Sequence, residues 1–161
     1  MIDLALELLQ LNENDDVIDL FCGLGNFTLP ISRYVNTVVG IEGDKGLVER
    51  AKENAKVNDI SNASFYKADL FEDVSGYEWF RGKNYNTALI DPARTGAIEI
   101  VELLPKLKVE RLVYVSCNPA TLARDTARLI DLGFSLESAG VMDMFPQTAH
   151  VESIALFIRK N

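Results

Sequence analysis

Apolar positions along the chain alternate between two periods. Short runs of β-forming residues are Val17-Ile18-Asp19-Leu20-Phe21, Thr37-Val38-Val39-Gly40-Ile41, Ser64-Phe65-Tyr66-Lys67, Thr87-Ala88-Leu89-Ile90 and Leu112-Val113-Tyr114-Val115. Between them apolar residues recur at helical spacing. Leu4, Leu8, Leu9 and Leu11 predict a short amphipathic helix starting near Asp3, and 27–34 begins another with Pro30 in its first turns. Leu47, Val48, Ala51, Ala55 and Val57 form the inner face of a helix over 45–58, and a fourth helix runs over about 97–104. After Ser116-Cys117-Asn118-Pro119, the residues Ala120, Leu122, Ala123, Ala127, Leu129 and Ile130 mark a fifth, with Pro119 in its first turn, where a missing N–H costs nothing. The segment 70–84 has no clean period and reads as loop with one helical turn at most. The stretches 134–142 and 153–158 read as two further strands with no helix between them.

Strands alternating with helices predict an α/β fold: a parallel sheet with right-handed crossovers and helices on both faces. The last two strands pair antiparallel at one edge, giving a seven-stranded, mostly parallel sheet with the last strand antiparallel.

Composition narrows the function classes. At 161 residues and 48% hydrophobic content the chain is expected to be a single domain over 1–161. It has no apolar run long enough to span a bilayer and no charged-then-apolar leader. Sixteen Lys and Arg against 24 Asp and Glu give a net charge of −8, which excludes nucleic-acid binding by bulk electrostatics. An RNA substrate would need a local basic patch or a second domain. Two cysteines, Cys22 and Cys117, are too few for a disulfide framework or a four-thiolate cluster, so a reduced, cytoplasmic protein without a metal is expected.

Candidate chemistry gathers at the carboxyl ends of the strands, where ligands bind in doubly wound sheets. The turn Gly23-Leu24-Gly25-Asn26-Phe27-Thr28 has Thr28 where a dinucleotide fingerprint places glycine, which disfavours NAD or FAD. Glu42 follows Asp19 by about twenty positions, the spacing at which an acidic residue meets ribose hydroxyls. Asp69 ends the third strand and can accept from an adenine amino group. Asp91 ends an apolar strand, so its carboxylate is either hydrogen-bonded to the following helix start or facing a ligand. Arg94 either neutralises Asp91 or holds a phosphate. Cys117 is a small buried hydrophobe or, at a strand end ahead of a helix N-terminus that favours thiolate, a nucleophile. Cys22 is expected to be packing. His150 and Glu152 project to one side if the chain is extended there, with His150 in a supporting role.

At these residues the sequence resembles the RNA uracil-5 methyltransferase family. The resemblance is carried by Asp19-Leu-Phe-Cys-Gly-Leu-Gly-Asn-Phe-Thr28, Asp91-Pro-Ala-Arg94, Tyr114-Val-Ser-Cys-Asn-Pro-Ala-Thr-Leu-Ala-Arg-Asp125 and Asp143-Met-Phe-Pro-Gln-Thr-Ala-His-Val-Glu-Ser153. Asp91-Pro-Ala-Arg94 and His150-Val-Glu-Ser153 resemble the branch acting on 23S ribosomal RNA more than the tRNA enzymes. The resemblance implies a Rossmann-like, S-adenosylmethionine (SAM)-dependent methyltransferase fold. It implies Cys117 as nucleophile, Glu152 as base, and Phe21, Gly23, Gly25, Asn26, Glu42, Asp69 and Asp91 at the cofactor, with Asp91 also close to the target uracil. The implied partner is RNA, with the uridine single-stranded or flipped from its stack.

Full-length members carry an N-terminal RNA-binding β-barrel, a central substrate domain and, in this branch, an iron–sulfur cluster held by four cysteines. The match covers the catalytic domain alone, so an excised fragment or a truncated relative is expected, one that binds SAM whether or not it turns over by itself. Two other readings stand beside this one: a SAM-dependent enzyme of a small molecule or protein with Cys117 structural, and a SAM-binding domain without catalysis.

Overall fold

The computed structural model describes residues 1–142 and 151–159. The strands are β1 Asp16–Leu20, β2 Thr37–Glu42, β3 Ala63–Lys67, β4 Thr87–Ile90, β5 Arg111–Ser116, β6 Phe134–Met142 and β7 Glu152–Arg159. The helices are α1 Ile2–Leu9, α2 Thr28–Ile31, α3 Lys45–Val57, α4 Ile98–Val101 and α5 Pro119–Asp131. The seven strands among the described residues form one sheet in the order β3-β2-β1-β4-β5-β7-β6. The first five pair in parallel, and β7 lies antiparallel between β5 and β6. The expected antiparallel pair is therefore present, with β6 rather than β7 at the edge.

Strand alternation sorts the core into two layers. On β1, β4, β5 and β7, Ile18, Leu20, Ala88, Ile90, Leu112, Tyr114, Ala155 and Phe157 pack with α4, α5 and the 70–85 segment. Their neighbours Val17, Leu89, Val113, Val115, Ile154 and Leu156 pack with α1 and α2 on the other face. Burial on both faces explains why these strands read as continuous apolar runs. A smaller cluster of Cys22, Val48, Ala51, Ala55 and Phe65 seats α3. Among the described residues no helix is long and apolar enough to cross a membrane.

Three boundaries differ from expectation. The second and fourth helices are four residues each, and the chain continues from both in turns. Phe21 lies outside β1, at φ 67°, because the chain swings there into the glycine turn. The 70–84 segment lacks a helix or strand, as its pattern implied, yet it is anchored. Trp79 is 2% exposed in the core, and its carbonyl accepts from the Tyr85 hydroxyl at 2.7 Å. Replacing Trp79 with alanine is expected to cost about 3–5 kcal/mol of stability in urea unfolding. Limited proteolysis of that variant should cut first within 70–84; unchanged protection there would show that the segment is held by something else.

Candidate active site

The site is built by strand parity. Asp19 lies two residues after Val17, Asp91 two after Leu89, Cys117 two after Val115 and Glu152 two before Ile154. Alternation thus aims all four towards the α1–α2 face. The β5–β7 register ends at Ser116↔Ser153, so the next step sets Cys117 opposite Glu152. Three of the four, Asp91, Cys117 and Glu152, line one open cleft of about 530 Å³ together with Met1, Asn26, Pro92 and Ala93, while Asp19 is buried outside its lining.

Cys117 is half-buried, directly ahead of Asn118, whose side chain caps α5 by accepting from the Ala120 N–H at 3.1 Å. Asp91 makes no side-chain hydrogen bond among the described residues, so the helix-start alternative is not realised and its carboxyl faces the cleft. Burial, and next the charge of Glu152, raise its pKa to about 6. Arg94 is exposed and forms no ion pair with Asp91 among the described residues. Cys22 packs at 4% exposure, and burial pushes its thiol far up. His150 and the 143–150 part of the motif lie outside the described residues.

The remaining expected ligand residues ring the ends of β1, β2 and β3, next to the cleft. Gly23 and Gly25 have φ of +55° and +85°, a left-handed turn closed to most side chains. Glu42 is engaged differently from expectation: its oxygens accept from the Gly23 N–H at 3.0 Å and the Asp44 N–H at 2.9 Å, pinning the glycine turn to the end of β2. Each oxygen keeps a second lone pair for a ligand donor. Asp69 accepts from the Phe71 N–H at 3.0 Å, and the Phe71 ring lies 6.0 Å from that of Phe21.

Two residues with no role assigned from sequence stand out. Asp19 is fully buried; one oxygen accepts from the Thr28 hydroxyl and the other, Oδ1, has no partner among the described residues. Burial is the main cause that raises its pKa to about 7; the Thr28 bond opposes this, while the charges of Asp91 and Glu42 add to it. An acid inside the apolar run of β1 was the available signal. The other is Asp125, buried on the inner face of α5 in the row Leu122, Asp125, Leu129. A thiol and two carboxylates around one cleft can support nucleophilic addition and proton removal.

The profile of the family described as tRNA (uracil-5-)-methyltransferase matches residues 1–160. The 23S rRNA (uracil(1939)-C(5))-methyltransferase RlmD of Vesicomyosocius okutanii subsp. Calyptogena okutanii is 74% identical over 160 residues, 99% of this chain and 36% of that protein. The chain thus spans about a third of the length of the curated relatives it matches. The crystal structure of the Pyrococcus abyssi tRNA (uracil-54, C5)-methyltransferase in complex with S-adenosyl-L-homocysteine superposes with a TM-score of 0.79 at 30% identity. It covers 97% of this chain, which spans 37% of that one. The [4+2]-cyclase SpnF superposes at 0.78 with 12% identity, covering 98% of this chain and 80% of its own, a likeness of fold alone.

Asp19 gives a pH prediction. Its folded pKa of about 7 lies above the ordinary 3.8, so between those values the folded chain holds more protons than the unfolded chain. The stability it contributes is complete below pH 4 and lost as pH rises through 7. In Asp19→Asn the Thr28 bond can persist and no charge forms. The variant should gain on the unmodified chain from about pH 4 to about pH 7 and level off above that, at on the order of a few kcal/mol. Urea unfolding at each pH checks this; a difference independent of pH would contradict it.

Proposed function

The chain belongs to the tRNA (uracil-5-)-methyltransferase family, and we propose that residues 1–161 are the catalytic domain of a SAM-dependent RNA uracil-5 methyltransferase acting on 23S ribosomal RNA. The substrate class follows the 74%-identical relative, whose name carries that activity. The observation that carries the reading is the shared cleft of Cys117, Glu152 and Asp91.

The residues fit SAM by the chemistry of their donor set. The ligand offers ribose hydroxyls, amino hydrogens and positive charge. Around its proposed place stand Asp19 with an unpartnered oxygen, Glu42, Asp69 and Asp91, none ion-paired among the described residues. Glu42 would take the ribose hydroxyls and Asp69 the adenine amino group. The Phe21–Phe71 pair lies alongside, while Gly23, Gly25 and Asn26 shape the turn. Bound SAM supplies an electrophilic methyl group on a sulfonium.

The Cys117 thiolate adds to carbon 6 of the uracil, and the electron pair of the 5,6 double bond moves onto carbon 5 and the O4 carbonyl as an enolate. Carbon 5 becomes nucleophilic only after this addition. Once carbon 5 carries the methyl group, the Glu152 carboxylate removes its remaining proton. The carbon 6–sulfur bond breaks as the double bond re-forms, and Cys117 leaves as thiolate. Asp91, between the glycine turn and Glu152, accepts from a uracil N–H or a cofactor donor when ionised.

With fluorine at carbon 5 there is no proton for Glu152 to take, so the adduct should persist. RNA containing 5-fluorouridine, with SAM, should give a denaturation-resistant complex mapping to Cys117. The test uses the chain itself and a chimera in which it replaces the matching segment of the 74%-identical relative. Cys117→Ala should abolish the complex. In the chimera, Glu152→Gln should lower methylation of ordinary uridine by about 10²–10⁴-fold. Methylation that survives Cys117→Ala would overturn the mechanism.

A further inference from the structure

Behind the cleft, on the opposite face of the sheet, lies a polar constellation that this chemistry does not use. Asp125 is fully buried. Its Oδ2 accepts from the Tyr114 hydroxyl at 2.6 Å and the Ala97 N–H at 2.8 Å. Its Oδ1 accepts from Arg124 Nε at 2.8 Å and lies 2.7 Å from Arg124 Nη2. Arg124 Nη2 also donates to the Thr95 carbonyl at 3.0 Å, and Asn118 Nδ2 donates to the Arg94 carbonyl at 3.0 Å. Gly96 sits inside this cage at φ +80°. A Cβ there would lie 2.6 Å from both Arg124 Nη2 and Asp125 Oδ2, so a side chain is excluded by space and by backbone.

Three of these bonds, to Arg94, Thr95 and Ala97, run to the segment that leaves Asp91. Their other ends lie on Asn118, one residue past Cys117, and on α5, which starts at Pro119. Tyr114, on β5 three residues before Cys117, completes the bracket. The two tied segments carry two walls of the cleft, one with Asp91 and one with Cys117. Arg124 is exposed while Asp125 is buried, and apolar packing of similar volume would hold helix to loop as firmly as such an ion pair does. What the forked guanidinium and the doubly accepting carboxylate add is direction.

We propose that Asp125 and Arg124 are positioning residues, a clamp that sets Asp91 against Cys117 from behind the sheet. The inference rests on the reading of Cys117 as nucleophile and Asp91 as a cleft group. A displaced clamp would shift one wall relative to the other by a fraction of an ångström or more, while the glycine turn, Glu42 and Asp69 sit on other strands and keep their places.

The test uses Arg124→Met, Gly96→Ala and the milder Tyr114→Phe, each in the chain and in the chimera. Three measurements are compared: affinity for S-adenosyl-L-homocysteine by calorimetry, the rate of adduct formation with 5-fluorouridine RNA, and the pH profile of Cys117 alkylation by iodoacetamide. Arg124→Met and Gly96→Ala should slow adduct formation by about 10- to 100-fold, with a much smaller fall in affinity, because of the proposed cofactor carboxylates only Asp91 lies on the displaced wall. The alkylation profile should change, because Asp91, whose own pKa is raised to about 6, then stands at a different distance from the sulfur. Tyr114→Phe, which removes one neutral donor, should show the same pattern more weakly. An unshifted profile, with rate and affinity falling together as stability falls, would make the clamp a brace and overturn the proposal. Absence of an adduct from the unmodified chimera would sink the functional reading instead, and the alkylation profile alone would then decide the clamp.

Discussion

The site depends on the register in which β7 slips between β5 and β6. Ile154 and Leu156 feed one hydrophobic layer, while Ala155 and Phe157 feed the other. A slip of one residue would drive each set to the wrong face and carry Glu152 with it, away from Cys117. The alignment of the proposed base with the proposed nucleophile is therefore held by apolar burial several residues away. It needs no attraction between the two groups themselves. That separation matters, because carboxylate and thiolate repel, and a site held together by its own charges would open as it ionised.

The same geometry concentrates acids at one lip of the sheet. The charge of Glu152 raises the proton affinity of Asp91, and Asp19 feels both Asp91 and Glu42. Such crowding destabilises the chain without a ligand near neutral pH, since each buried carboxyl gives up solvation to ionise. A ligand carrying positive charge and several N–H and O–H donors relieves that cost at once. The unpartnered oxygen of Asp19 fits this logic. The crowding also accounts for the ligand proposed here better than for a dinucleotide, whose phosphates would meet the same carboxylates at close range.

Most of the architecture was legible because the central strands are buried on both faces and flanked by turns, which leaves unbroken apolar runs such as Leu112-Val113-Tyr114-Val115. Helices α3 and α5 were legible from their period. Where the chain met two demands at once, pattern failed. Phe21 has a strand-forming side chain but a left-handed backbone, imposed by the turn beyond it. The fourth helix ends at Val101, short of its apolar pattern, because Leu103 and Leu104 keep helical spacing while the chain turns. Strand-end placement located Cys117, Asp91 and Glu42, while the backbone engagement of Glu42 depends on a turn 19 residues earlier that no local pattern reports. Asp125 falls at the end of a motif, and its place in the row Leu122, Asp125, Leu129 marks an acid where an apolar residue belongs.

Fold alone does not choose among chemistries here. The [4+2]-cyclase SpnF shares this sheet almost as closely as the Pyrococcus methyltransferase does. What separates possible activities is the set of groups carried past the carboxyl ends of the strands, and in particular whether a thiol and a carboxylate meet on one face. In this chain the parity of β5 and β7 makes them meet, and the bracket behind β5 ties their surroundings to the loop bearing Asp91. A thiol in that place without Glu152 could add to a pyrimidine but would lack a nearby group to release it. A carboxylate without Cys117 would face a carbon with too little electron density to accept a methyl cation equivalent. Each makes chemical sense only beside the other, which is why their shared cleft argues for this reaction more strongly than either residue does alone.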